Sequence, residues 1–322
     1  MLVVEPELAG VRLADLLARS EPGAHRADLR QLIASGEVSV NGEVCLNDRR
    51  MRTGDVVLVA SRPHLRRAEA ARELDLPAVL RATAACIVVA KPPGMPCVPD
   101  RSGQQAGVHG LLHRLRPLDD LRIVHRLDRD TSGCLILAKG ADAARHFDQQ
   151  FQAHRVQKTY LALVAGTPTD DAFTIDLWLG PDRRRPGKVV ASETPRKGFR
   201  EAHTSVSVRE RFDRHTLLEL RPTTGRGHQL RVHLQAIGLP IVGDRDYGGE
   251  ALLLSRLKAG YKQRAGVDER PLLQRMFLHA ERVVFDDVDG QQVTVEAPLP
   301  DDLAVALRHV EKYASRRRTQ CD

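Results

Sequence analysis

A chain of 322 residues with 49 Lys and Arg against 42 Asp and Glu, a formal charge of +7, exceeds what one hydrophobic core serves well and predicts about two domains. Its longest uncharged apolar run, around Cys86 to Ala90, is far short of the roughly 18 residues of a membrane span, and the start MLVVEPELAG carries acids where a signal peptide is basic, so a cytoplasmic protein without membrane attachment is expected. Five scattered cysteines point to neither a zinc site nor a disulfide framework, and the positive balance favours a polyanionic partner.

Residues 1–60 read as a small α-then-β unit. Leu13, Leu16 and Leu17 share one helical face and Leu29, Leu32 and Ile33 another, with Pro22 and Gly23 between them. After Gly36 the period becomes two in EVSV, Asn41-Gly42 supplies a tight hairpin turn, and GDVVLVA gives a further strand. Arg26 and Arg30, one helical turn apart, could bring basic groups to one side, and an ordinary solvated face fits the spacing equally well. The stretches RLADLLA, LRQLIASGEVSVNGEV and TGDVV resemble the S4 RNA-binding module, with His25-Arg26 where many members have Ser-Arg. Residues 61–80, of mixed charge with a proline near each end, read as a linker, and residues 81–322 as a second domain.

In that domain the runs AACIVVA, CLILAKG, TYLALVAG, HTLLELRP and ERVVFDD are expected strands, and ADAARHFDQQFQAHR is a helix with Ala144, Phe147 and Phe151 at helical spacing. Many strands and few helices imply an α+β fold around a mixed, largely antiparallel sheet. HRLDRDTSG, residues 125–133, holds Asp128 on a loop of turn formers before CLILAKG, where the acid could simply pair with Arg126 or Arg129. TTGRGHQLRVHL predicts capping threonines and a helix from about His228 to Ile237, its buried stripe of Leu230, Leu234 and Ile237 excluding Arg231. The helix N-terminus with Arg226 and Arg231 suits an anion. Lys158 and Tyr160 lie on one face of a strand, where a tyrosine is ordinarily core. The stretch 182–200, DRRRPGKVVASETPRKGFR, reads as a mobile basic loop in which Arg183, Arg184, Arg185, Lys188 and Lys197 await a polyanion, and the tail RRRTQCD as disordered.

Together, HRLDRDTSG, KTY at 158–160 and GRGHQLRVHL followed by GDRDYGG resemble the signature motifs of the RluA family of pseudouridine synthases, and KPPG at 91–94 and FLHAERVVF to APLP fit as well. Gly227 departs from the family's usual threonine. The resemblance implies an RNA isomerase needing no cofactor or metal. In it Asp128 is the nucleophile, Arg231 pairs with that acid, and Tyr160 packs on the base and is a candidate for removing the C5 proton. Arg126 would fill the space left by an extruded nucleotide, a role for which a planar guanidinium is suited. His125, Leu127, Arg226 and Lys158 would line the substrate site, and Arg26 and Arg30 would grip RNA with the basic loop. The expected substrate is large-subunit ribosomal RNA, with transfer RNA as the alternative, and the expected state a monomer. A non-catalytic ribosome assembly factor, or a hydrolase using Asp128 with His125, is the rival class.

Overall fold

The computed structural model describes residues 2–20, 26–34, 36, 38–59, 77–98, 107–108, 110, 120–262 and 268–314. They fall into two compact units, one drawn from Met1–Leu76 and Val98–Leu111, the other from Pro77–Cys97 and Leu112–Asp322.

The first unit pairs helices α1 (Leu13–Ser20) and α2 (Arg26–Ala34) with an antiparallel sheet of β1 (Leu2–Val3), β2 (Val38–Val40), β3 (Glu43–Val44) and β4 (Val56–Val59), in the order β1-β4-β2-β3. Leu13, Leu16, Leu17, Leu29, Leu32 and Ile33 are buried together with Val38, Val40 and Val57, so the helical spacing and the strand alternation meet in one core. Asn41 and Gly42 turn the hairpin at φ of 55° and 84°, a left-handed backbone that Asn and Gly tolerate best. The Asn41 side chain locks the turn by donating to Asp55 Oδ1 and accepting from the Val56 amide, each at 2.8 Å.

The second unit is built on β5 (Ala78–Ala82), β6 (Cys86–Lys91), β7 (Leu121–Ile123), β8 (Ser132–Lys139), β9 (Gln157–Ala165), β10 (Ala172–Pro181), β11 (Val189–Ser192), β12 (Arg200–Arg211), β13 (His215–Pro222), β14 (Leu278–Asp286) and β15 (Gln292–Glu296). They form one sheet in the order β11-β10-β12-β13-β9-β14-β8-β6-β5, with β15 on β14 and β7 on β8. Every ladder is antiparallel except β8 with β14, which run parallel at Ser132–His279 and Gly133–Ala280. The helix α3 (Gly140–Gln152) packs Phe147 edge-on to Phe285 of β14, with ring centroids 5.3 Å apart. Helices α4 (Gln229–Ala236), α5 (Leu254–Leu257) and α6 (Asp301–Tyr313) bury Leu230, Leu234, Leu257, Leu303, Ala306 and Val310 in one core with apolar residues of β9, β10, β12 and β13, α4 lying on β10 to β12 and α5 on α6. The fold is therefore α+β on a mixed, mainly antiparallel sheet.

Four local expectations change. β5 begins inside the stretch read as a linker, whose residues 61–76 lie outside the described ones. The supposed loop 182–200 contains β11, whose Val189, Val190 and Ala191 pair with β10 as an edge strand. Strands β10 and β12 went unread, although Ala202, Thr204 and Val206 of β12 alternate as buried residues with exposed Glu201, His203 and Ser205. The helix α6, with Leu303, Ala306 and Val310 at helical spacing, was also missed. The tail RRRTQCD lies outside the described residues. No helix among the described residues is long and apolar enough to cross a membrane.

Candidate active site

The loop 125–131 leads into β8, and Gly133 is what lets it do so. Gly133 sits at φ 117° with Ala280 so close that a Cβ would fall 2.1 Å from the Ala280 carbonyl oxygen. Any side chain there would push β8 off β14. The loop's carbonyls are held from within. Lys91, 1 % exposed, donates to Pro92 O, Met95 O and Arg129 O at 2.9, 2.8 and 2.9 Å, and burial pulls its pKa down to about 8. Cys97 Sγ lies 3.3 Å from the Leu127 amide and 3.4 Å from its carbonyl. Arg129 Nε returns to Gly94 O at 3.0 Å, and the Thr131 amide closes a turn on Asp128 O at 3.1 Å. Backbone committed on its inner side leaves the Asp128 carboxylate part-exposed.

That carboxylate meets Arg231 from the helix α4, with Oδ2 3.2 Å from Nη1. The sequence reading excluded Arg231 from the buried stripe, yet only 8 % of it is exposed. Apolar counting missed the reason, which is charge pairing. Asp244, 2 % exposed, takes a two-point grip on Nε and Nη2 at 2.7 and 2.8 Å, Asp246 accepts from Nη2 at 3.2 Å, and the guanidinium lies 4.7 Å over the Tyr247 ring. Burial works against the charge on Arg231, but the bonds and charge of Asp244, then of Asp128, outweigh it and raise its pKa. A buried cation with three carboxylates and an aromatic face has one available pose. The group that faces Asp128 is consequently fixed before any substrate arrives.

The start of α4 is also not built as the threonines suggested. His228, at φ 53°, is the residue before the helix and supplies no side-chain cap. Gln229 organises the turn instead: its Oε1 accepts from the Arg226 amide at 3.0 Å and from Thr224 Oγ1 at 2.8 Å, and its Nε2 donates to His203 O at 3.0 Å. The Tyr247 hydroxyl accepts from the Val189 amide at 3.0 Å and lies 2.7 Å from His228 Nδ1. On β9, burial first and the Asp128 charge second raise the Tyr160 pKa, so its phenol stays protonated. Two residues earlier, burial lowers the Lys158 pKa to about 8, and among the described residues Lys158 Nζ makes a single long bond, 3.3 Å, to Thr224 O.

The other candidate residues fall into separate groups. His125 accepts the Ile136 amide at 2.9 Å and packs on Phe151, and burial, then the Lys158 charge, takes its pKa down to about 3. Leu127 is buried, whereas Arg126 is exposed and makes no hydrogen bond or ion pair with another described residue. Arg226 Nε donates to Glu201 O at 2.9 Å. Arg183, Arg184 and Lys197 are exposed, Arg185 pairs with Asp182 at 2.7 Å, and Lys188 pairs with Asp246. In the first unit Arg30 lies 3.6 Å from Asp48, and the side chain of Arg26 lies outside the described residues. Sequence reasoning missed Lys91, Gln229, Asp244, Asp246 and Tyr247 as working parts, although KPPG and GDRDYGG put most of them in view.

The family model for RNA pseudouridylate synthase matches residues 85–236, and that for the S4 domain matches residues 11–57. The chain is 34 % identical to a ribosomal large subunit pseudouridine synthase D of Xanthomonas campestris, over 98 % of this chain and 93 % of that one. It is 32 % identical to a ribosomal large subunit pseudouridine synthase C of Yersinia pestis, over 98 % and 97 %. Among solved structures, human RNA pseudouridylate synthase domain containing 1 superposes with a TM-score of 0.56 at 27 % identity, covering 76 % of this chain and 91 % of that one.

Proposed function

The chain belongs to the RluA-type RNA pseudouridine synthases, which isomerise uridine in RNA, and on that premise we propose that Asp128 is its nucleophile and that its substrate is large-subunit ribosomal RNA. The observation that carries the first half is the Asp128–Arg231 pair, formed by residues from two distant segments and part-open to solvent. The reaction breaks the N1–C1′ bond, turns the detached uracil and joins C5 to C1′. C5 gives up its proton and N1 regains one, so no redox or phosphoryl step calls for a cofactor. A carboxylate held by Arg231 is available to attack, and the fixed guanidinium does not have to reorganise as charge develops.

The target uridine has to leave its stack, at a cost of a few kcal/mol, and exposed Arg126 fills the gap. Tyr160, a protonated phenol, packs against the uracil. Lys158 has donors to spare for the nucleotide beside it. The basic turns around β11 and Arg30 in the S4 unit grip phosphate. The names of the Xanthomonas and Yersinia relatives, with the S4 module as a second grip on a large folded RNA, favour ribosomal over transfer RNA and hence action in the cytoplasm.

Release of tritium from C5-labelled uridine transcripts tests the chemistry. Asp128→Asn is expected to lower the rate by at least about 10³-fold while RNA affinity stays within about twofold. Release at a wild-type rate would remove Asp128 from the mechanism. Pseudouridine mapping in cells with and without the gene tests the target: a site lost from large-subunit RNA is expected, and a loss confined to transfer RNA overturns that half.

A further inference from the structure

Arg275 precedes β14 and lies beyond the stretch matched by the pseudouridylate synthase family model. Its side chain is 9 % exposed, and its guanidinium works in two directions. Toward the first turn of α6, Nε and Nη2 fork onto the Asp302 carboxylate at 2.6 and 3.0 Å. Toward the loop that carries Asp128, Nη1 donates to Asp130 O at 3.1 Å and Nη2 to Ser132 Oγ at 3.2 Å. Nη1 also lies 3.4 Å from Met276 O and Leu278 O, at the entry to β14. Ser132 Oγ is held a second time by His279 Nδ1 at 3.0 Å, and His279 Nε2 reaches Ala297 O at 3.1 Å.

We propose that Arg275 is a positioning residue for the reaction, clamping the Asp128 loop to α6 and so setting the distance between Asp128 and Arg231. The inference rests on the reading of Asp128 as nucleophile. The side chains of that pair are anchored by different groups, although the backbones meet where Gly243, next to Asp244, packs on the Arg275 carbonyl and the Phe277 amide donates to Val242 O at 2.9 Å. Arg231 is held by the carboxylates of Asp244 and Asp246, whereas the Arg275 guanidinium bonds Asp302, Asp130 O and Ser132 among the described residues. Asp128 is held through its own backbone, by Cys97 at Leu127 before it, Lys91 at Arg129 after it and Arg275 at Asp130 and Ser132 beyond. Loss of the last clamp leaves Arg231 in place and lets the acid drift. A misplacement of about 1 Å is enough to slow chemistry by roughly 10²-fold. Only a planar fork can serve a carboxylate on one side and two loop acceptors on the other, so lysine is no substitute.

The test uses full-length protein, a C5-tritiated transcript, single-turnover rates, RNA affinity and melting temperature. For Arg275→Lys the rate is expected to fall about 10- to 100-fold, with RNA affinity within about twofold. Val310→Ala, in the helix α6 that carries Asp302 but without a bond to the loop, is expected to lower the melting temperature while leaving the rate within about twofold. A full rate in Arg275→Lys, or an equal slowing in Val310→Ala, overturns the proposal. Should Arg275→Lys fail to fold, the double change Arg275→Met with Asp302→Leu removes both charges together; it too is expected to be slow, and wild-type speed counts against the clamp. Asp128→Asn measured in parallel separates the two ideas. If it stays active, the nucleophile assignment has failed; if it is dead while Arg275→Lys runs at full rate, only the clamp has.

Discussion

The surroundings of Arg231 and the basic turns around β11 use the same side chain in opposite ways. Arg231 is buried, bonded to Asp128, Asp244 and Asp246 and stacked on Tyr247. Arg183 and Arg184, on the turn between β10 and β11, are exposed. One cation is held in a single pose beside Asp128; the others stay exposed, which suits the proposed grip on a flexible polyanion. The two regions touch through Asp246, which Lys188 from that turn and Arg231 share. Positional precision and electrostatic reach are thus divided between residues of one chemical type by burial and by the carboxylates supplied beside them.

The largest effect should come from the buried side. Arg231→Lys keeps the charge but cannot grip Asp244 at two points while reaching Asp128, so single-turnover rates should fall about 10²-fold with RNA affinity little changed. Turnover within threefold of wild type would break the contrast, because a point charge would then be enough. Next comes the exposed side. Replacing Arg183, Arg184 and Arg185 together by Ser should weaken binding and flatten the salt dependence by about two in slope, since Arg185 already pairs with Asp182, while the rate at saturating RNA holds. An unchanged slope would remove these residues from the RNA contact.

The smallest expected effect is on stability against pH. Burial lowers the pKa of His125 to about 3 and of His233, whose ring nitrogens have no hydrogen-bond partner among the described residues, to about 4. Each binds its proton more weakly folded than unfolded, so the stability is fully present above the ordinary histidine value of about 6.5 and is lost as pH falls from there toward the folded values. Melting temperature should drop through that window, and His233→Leu should flatten the drop. A profile unaltered by the substitution would show that the acid response arises elsewhere.

Much of this was legible in the residue order. The leucines of α1 and α2, the Asn41-Gly42 turn and the apolar runs of β6, β8, β9, β13 and β14 all lie where local period and turn chemistry put them, because those signals act over a few residues. Asp128 and Arg231 could be named as partners only through the resemblance, since their segments are 103 positions apart. The burial of Arg231 leaves no mark on the apolar stripe of α4, because its partners, Asp244 and Asp246, lie outside that helix. The same holds for Lys91, whose fixed carbonyl partner at Arg129 is 38 positions away. Charge networks that close over long intervals leave no periodic trace.

The parallel contact of Gly133 with Ala280 has a consequence for synthesis. The chain is made from its N-terminus, and the strand that completes the seat of the acid's loop comes out 147 positions after Ser132, which it must pair. A nascent chain stopped short of β14 would already display all three signature stretches and yet have nowhere fixed to put its carboxylate. Growing chains on the ribosome are therefore expected to stay idle, with competence arriving late and all at once.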